Sequence, residues 1–364
     1  MTAAALDALV ISVQADVPVL LWGSPGTGKT SAVVDLALAA GWTHEVVVGA
    51  IREPTDFSGL PVVAGGEVRF APPRWARRLA EAGEGLLFLD ELTTAPPAVQ
   101  AAMLRVVLER EVGDLTLPEG VRVVAAANPP EEAADGWDLS APMANRFVHL
   151  DWPVSAQSVA AGLTDGFPKP LDLLSRSRPD SAHRLRARAL VAAFLRVRPG
   201  LVLRLPEQAE QVGRCWPSPR TWEMTARLLA ECDGAGASAD VRSLLVRGTV
   251  GEGPGSEFLS WLRHLDLPDP ARVLSDPSSF DVPSRGDRAY AALAAVASYA
   301  VAADDPELWG RAWQVVARAA EVSPDTAVLV ARLLATRRPK GARLPDEARA
   351  LGGLLALADA DRDR

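Results

Sequence analysis

Between positions 23 and 30 the chain reads Gly23-Ser24-Pro25-Gly26-Thr27-Gly28-Lys29-Thr30, the G-x-x-x-x-G-K-[ST] spacing of a phosphate-binding loop. Glycines at these places let the backbone curl until its N–H groups face inward and cradle anionic oxygens at a helix N-terminus. Lys29 then reaches the terminal phosphates, and the Thr30 hydroxyl, with Ser31 behind it, lies where Mg2+ is held. A second group closes the run Leu86-Leu87-Phe88-Leu89, which ends in Asp90 and Glu91. A carboxylate at a strand's carboxyl end can bind Mg2+ beside the phosphates, and the acid after it can orient and deprotonate an attacking water. The run 121–127 leads in the same way to Asn128-Pro129. The Asn128 amide can position that water or touch the γ-phosphate; the alternative is a cap on the turn before Pro129. These residues predict a nucleoside triphosphate bound with Mg2+.

Such groups need a scaffold that presents strand ends side by side. The runs 17–22, 45–48, 86–90, 121–127 and 147–151 are short and apolar, with helical patterns between them, as at 31–40 and 97–111. Continuous buried strands alternating with helices predict an α/β domain, a mostly parallel sheet covered on both faces. Ligands of such sheets bind beyond the carboxyl ends of the strands. Two insertions interrupt the alternation: a hairpin-bearing excursion at 53–75, turned at Gly65-Gly66, and a second candidate hairpin at 111–120. After Trp152-Pro153 the strand signal fades, and helices fill 155–235 and 236–364 on either side of Gly234-Ala235-Gly236. A glycine-rich turn at 248–255 and a Pro/Asp/Ser loop at 267–287 should break the last region. The charged tail 358–364 should fray.

With 364 residues the chain has room for two or three domains, and 48% hydrophobic with 23% charged residues places it among globular proteins. The net charge is −8; residues 1–150 hold ten Lys/Arg and nineteen Asp/Glu, net −9, which leaves +1 for the rest. That balance argues against a general coating of nucleic acid, and no nucleic-acid module is assignable. Cys215 and Cys232 form no C-x-x-C and read as reduced core thiols. No signal-peptide core opens the sequence, and the longest apolar stretch, 291–303, falls short of the ~20 residues of a membrane span. It reads as a buried helix, and the protein as cytoplasmic.

The motifs resemble those of AAA+ ATPases, and among them the MoxR family of the helix-2-insert clade. Residues 23–30 match the Walker A loop, Asp90-Glu91 the Walker B pair and Asn128 the sensor 1 position. Ala144-Asn145-Arg146-Phe147 is similar to the segment that carries the arginine finger, and Trp216-Pro217-Ser218-Pro219-Arg220 to the motif that places the sensor 2 arginine on the lid. Asp90-Glu91-Leu92 through Pro96, Val99 and Gln100 follows the family's D-E-[IL]…A-x-P-x-V-Q pattern. Asp56 and Gly59 fit the D-x-x-G of the helix 2 insert, and 111–120 the pre-sensor 1 hairpin. The likeness covers 1–235. Ser24 stands where valine is frequent and Asn145 where an acidic residue is usual, which marks a divergent subfamily.

The resemblance implies an AAA+ αβα nucleotide-binding core at 1–154, a helical lid with sensor 2 at 155–235 and a helical C-terminal extension at 236–364. It implies ATP and Mg2+ held by Gly23, Ser24, Pro25, Gly26, Thr27, Gly28, Lys29, Thr30, Ser31 and Asp90, with Thr30 and Asp90 on the metal. Glu91, Asn128, Arg146 and Arg220 would be the catalytic residues. Phosphoryl transfer spreads negative charge over the γ-phosphate oxygens, so Arg146 supplied by a neighbouring subunit would accelerate it by roughly 10³–10⁵. Arg220, acting in cis, would couple lid angle to the nucleotide. The plainer alternatives are a surface salt bridge for Arg146 and an acid-paired arginine at a helix start for Arg220.

This arrangement implies a ring, most often a hexamer in relatives. Hydrolysis would drive chaperone-like remodelling, activation or metal insertion in a client, commonly a von Willebrand factor A domain protein. The rival reading is an ATP-switched scaffold with little turnover. Arg176, Arg178, Arg184, Arg186, Arg188, Arg196, Arg198 and Arg204 form a basic stretch read as a solvated or subunit-docking face. Trp309 and Trp313, four apart, are read as a helix's buried face; Trp75 and Trp137, in or near inserted loops, are read as packing residues with partner contact as the alternative.

Overall fold

The computed structural model describes residues 2–129, 132, 136–170, 174, 178–206 and 213–353; the tail 358–364 and Arg176 lie outside them. The strands are β1 (Val19–Trp22), β2 (Thr43–Val48), β3 (Leu60–Ala64), β4 (Glu67–Ala71), β5 (Glu84–Asp90), β6 (Glu111–Val112), β7 (Leu115–Thr116), β8 (Gly120–Ala127) and β9 (Val148–Asp151). Five of them form one sheet in the order β2-β5-β8-β1-β9. Every pairing in it is parallel. Helices lie between the strands and continue through the C-terminal part, which is the expected α/β domain with a helical C-terminal region.

Alternate residues of these strands serve two cores. Leu21, Phe88, Val124 and Leu150 pack with the helix Ala3–Gln14, and Leu20, Leu87, Leu89 and Ala125 pack with the helix Pro97–Glu109. Burial on both faces is why the strands read as continuous apolar runs and not as alternating ones. The two insertions are hairpins, β3 with β4 and β6 with β7. They are joined: the Phe70 N–H donates to Asp114 Oδ2 at 2.9 Å, and the Asp114 N–H donates to the Phe70 carbonyl at 3.0 Å.

The chain divides into two compact units, residues 1–177 with 203–256, and residues 178–202 with 257–364. In the first unit, helices Pro219–Ala235 and Ala239–Val250 pack on Ala3–Gln14 through Met224, Leu228, Val241 and Leu245. In the second, helices Ser181–Val197, Gly286–Ala303, Pro306–Val322 and Pro324–Thr336 surround an all-helical core. Trp309 and Trp313 meet edge to face at 5.8 Å there, and the Trp309 indole N–H donates to the Leu334 carbonyl at 3.1 Å. The apolar stretch 291–303 belongs to the buried helix Gly286–Ala303, and among the described residues no helix is long and apolar enough to cross a membrane. Trp75 is buried and donates to the Asp56 carbonyl, whereas Trp137 is 52% exposed.

Both expected breaks interrupt the helical region, and both carry short helical pieces. At 248–255 the helix Ala239–Val250 continues through Gly248, ends at Gly251, and is followed by the helix Glu252–Arg263. Gly248 is there for close approach, because a Cβ on it would stand 2.2 Å from the His149 carbonyl oxygen of β9. Within 267–287, Asp269 caps a helix Pro270–Ser275 and Asp276 caps a turn Pro277–Ser279. Proline at the first helical position starts these elements and does not break them.

Gly248→Ala should therefore destabilise the first unit by about 2–3 kcal/mol, since backbone meets Cβ and neither can turn away. Gly310→Ala, in a helix interior with nothing within 4 Å of the new Cβ, should stabilise by up to about 1 kcal/mol. Urea unfolding of both variants against the wild type checks the opposite signs.

Candidate functional site

The loop after β1 is fixed at the carboxyl end of the sheet by the Gly23 N–H, which donates to the Ala127 carbonyl at 3.2 Å. Gly26 and Gly28 have φ of 76° and 84°, the left-handed region that favours glycine. The Thr27 hydroxyl donates to the Ser24 carbonyl at 2.8 Å and closes the curl around Pro25. The helix Lys29–Ala39 starts directly after Gly28, with Ser31 exposed in its first turn. Its unpaired N–H groups make this the anion-binding end.

Lys29 is buried. Its ammonium donates to the Gly23 carbonyl, to the Ser24 carbonyl at 3.0 Å and to Asn128 Oδ1 at 3.3 Å. Burial pulls its pKa below the ordinary lysine value, against the attraction of Asp90 and Glu132. A cation held on neutral oxygens in a half-dry loop is relieved by an arriving anion. The Thr30 hydroxyl donates to Asp90 Oδ2 at 2.9 Å, which joins the helix start to the end of β5. Two hard oxygen donors side by side fit Mg2+. Among the described residues no group of three or more His, Cys, Asp or Glu could hold a metal ion.

Glu91 is exposed and has φ of 56°, with its N–H donating to Asp90 Oδ1 at 2.9 Å. This conformation costs roughly 1 kcal/mol or more in a non-glycine residue. It is held by the Leu92 N–H on the Ala126 carbonyl and by the Thr94 hydroxyl on the Glu91 carbonyl, both at 2.9 Å. The turn splits two successive carboxylates: Asp90 faces Thr30, and Glu91 faces solvent at the mouth of the loop.

The arginines lie elsewhere. Val19 stands beside Val148 and Trp22 beside Asp151, so Arg146, two residues before β9, is at the amino end of the sheet. Counted along the strands, that is roughly 15 Å from the phosphate loop. Arg146 donates to the Pro142 carbonyl, its Nε–H is buried without a partner, and among the described residues it makes no ion pair. Burial, and after it the positive charge of Arg220, pulls its pKa below the ordinary arginine value. Arg220 is exposed, close enough to Arg146 for their charges to interact, and likewise unpaired with any acid among the described residues. Lys29, Thr30, Asp90, Glu91 and Asn128 thus form one constellation, and Arg146 with Arg220 a second.

Between them lies a buried polar group that sequence reading passed over. The Trp22 indole N–H donates to His149 Nδ1 at 2.9 Å, so the His149 proton sits on Nε2, which donates to the Ala144 carbonyl at 2.8 Å. The Arg214 guanidinium stacks over the Trp22 ring at 4.3 Å. Burial pulls the His149 pKa down to about 4, with the Ala144 carbonyl opposing and Arg214 assisting. Its signal in the sequence is a lone polar residue in an apolar strand, which by itself names no partner.

Residues 18–147 match the AAA domain family, dynein-related subfamily. Over 123 residues the chain is 37% identical to the C4-dicarboxylate transport transcriptional regulatory protein DctD of Rhizobium meliloti, which covers 31% of this chain and 26% of that protein. It is 38% identical over 121 residues to the Psp operon transcriptional activator of Escherichia coli, 31% and 37% of the respective chains. The chain thus spans well under half the length of these relatives. A crystal structure from Cytophaga hutchinsonii, of a protein named as a candidate ATPase, aligns with a TM-score of 0.45 and 17% identity over 72% of this chain and 89% of that one. Residues 18–147 form an AAA-type ATPase domain.

His149 gives a pH dependence with a definite sign. Its folded pKa lies below the unfolded value near 6.5, so its contribution is complete above pH 6.5 and is lost as pH falls toward 4. The loss should be about 3 kcal/mol over that window. Urea unfolding at pH 7.5 and 4.5 should show a steeper decline for the wild type than for His149→Gln, which does not titrate; equal slopes would refute a buried neutral histidine.

Proposed function

We propose that this chain is a MoxR-like AAA+ ATPase that works as a ring and uses ATP hydrolysis to remodel a partner protein. The observation that carries the reading is the joining of Thr30 to Asp90 and of Lys29 to Asn128 at the carboxyl ends of adjacent strands, with Arg146 at the opposite end. The loop would take the β- and γ-phosphates on its N–H groups and Lys29. Bound at Thr30 and Asp90, Mg2+ would neutralise charge that builds on the phosphates. Glu91 would accept a proton from water as the water oxygen forms its bond to the γ-phosphorus and the bond to the β-bridging oxygen breaks, releasing ADP and phosphate. Asn128 would hold that water or the γ-phosphate.

Arg146 cannot serve the nucleotide of its own loop across roughly 15 Å of sheet. It would serve a neighbour's; Arg220, expected from the sequence to act in cis, shares the surroundings of Arg146 and would act with it instead. An anion between two guanidiniums removes their repulsion, which is why a like-charged pair at a subunit edge suits a phosphate from outside the chain. A subunit-completed site requires a ring, and a hexamer is the size the MoxR resemblance gives. Within the expected lid 155–235, of which 178–202 belongs to the second compact unit, the helix Pro219–Ala235 that carries Arg220 would act as the lid element. The client would be a von Willebrand factor A domain protein, activated, remodelled or loaded with metal. The matched relatives share only the AAA segment, and one such core serves many outputs, so their regulatory role does not transfer.

ATP binding and steady-state hydrolysis test this reading. Lys29→Ala should lose binding, Glu91→Gln should bind ATP with turnover reduced by about 10² or more, and Arg146→Ala should bind ATP yet turn over at least about 10²-fold more slowly. Wild-type protein that binds ATP without turnover at any concentration would favour the ATP-switched scaffold.

A further inference from the structure

We propose that Asn145 is a positioning residue that holds Arg146 and Arg220 as one unit, an inference that rests on the ATPase reading above. Asn145 is 2% exposed, and both ends of its amide are used. Its Nδ2–H donates to the Trp216 carbonyl at 2.9 Å, and its Oδ1 accepts from the Ser218 hydroxyl at 2.8 Å. Ser218 is also the N-cap of the helix Pro219–Ala235: its Oγ accepts from the Thr221 N–H at 3.2 Å, and its N–H donates to Thr221 Oγ1 at 2.8 Å. Asn145 therefore grips the cap of the helix on whose first turn Arg220 stands, while Arg146 is the next residue on its own side.

The turn has a second anchor. His149 takes the Ala144 carbonyl on Nε2 and the Trp22 indole on Nδ1, which ties the same turn to the strand leading into the phosphate loop. The finger turn is thus pinned on one side to β1 and on the other to the helix of Arg220. Two guanidiniums that repel each other splay unless something fixes their spacing, and the buried amide does so. A neutral amide can donate to a carbonyl and accept from a hydroxyl at once. An ionised carboxylate here would set an oxygen against the Trp216 carbonyl and bury a charge.

Because Asn145 acts through the arginines and not on the subunit's own phosphate loop, its loss should change turnover without changing ATP affinity. The test uses full-length Asn145→Asp, Ser218→Ala and Ser218→Thr, with thermal melts to confirm folding, ATP dissociation constants by equilibrium dialysis, and steady-state kcat. Asn145→Asp and Ser218→Ala should lower kcat by about tenfold or more with the ATP dissociation constant within about threefold of wild type. Ser218→Thr, which keeps the hydroxyl, should restore kcat. Wild-type kcat in both disrupting variants overturns the positioning role, as does a parallel loss of affinity and turnover. If Arg146→Ala also turns over at the wild-type rate, the arginine reading fails first and this inference with it; if Arg146→Ala is slow and Asn145→Asp is not, only the inference fails.

Discussion

The parallel register of β1 between β8 and β9 is the constraint on which the rest depends. It sets Trp22 beside Ala127 and Asp151, so three strands finish together and their loops share one ligand space. The same register sends Arg146 to the far end of β9. A parallel sheet needs crossovers on both faces, which is why both faces are apolar and the polar chemistry is confined to strand ends. Under the proposed reading, an arginine at that far end would serve the nucleotide of a neighbouring subunit, and the division of labour would follow from strand order.

Buried polar groups do the fastening. Lys29 on Asn128, Thr30 on Asp90, His149 on Trp22, and Asn145 on Trp216 and Ser218 join segments far apart in the chain. Each bond adds little net stability, yet an unmatched buried partner costs about 1–3 kcal/mol. Such groups therefore tolerate few alternatives, and they specify where a loop or turn sits more than they strengthen the fold. His149 and Asn145 flank the turn before β9, so the arginine there is oriented by satisfied hydrogen bonds on both sides.

Much of the core was legible in the sequence. The Gly-rich loop between an apolar run and a helix, the acids ending 86–90, the strand positions and both hairpins rest on local patterns, and local patterns survive in one dimension. The break expected at 248–255 narrows to Gly251, because Gly248 answers to a carbonyl of β9 that is remote in sequence, and a glycine needed for close approach looks like one needed for a turn. The loop at 267–287 does separate two helices, but Pro270 and Pro277 start short helical pieces within it that a loop composition does not announce. His149 and Asn145 were illegible as a network because their partners lie 127 and 71–73 positions away. The grouping of 181–197 with 257–364 was illegible too: an amphipathic face announces that it will be buried, not against which element.

Mixing two inactive subunits tests the sharing of one site between chains most directly. Glu91→Gln subunits keep Arg146, and Arg146→Ala subunits keep Glu91. If each site is completed by its neighbour, combining them at fixed total concentration creates interfaces with both groups intact, and ATPase activity should rise above either parent with an optimum near equal proportions. Activity that stays at the level of the inactive parents at every ratio, in preparations shown to co-assemble, would contradict completion of the site in trans.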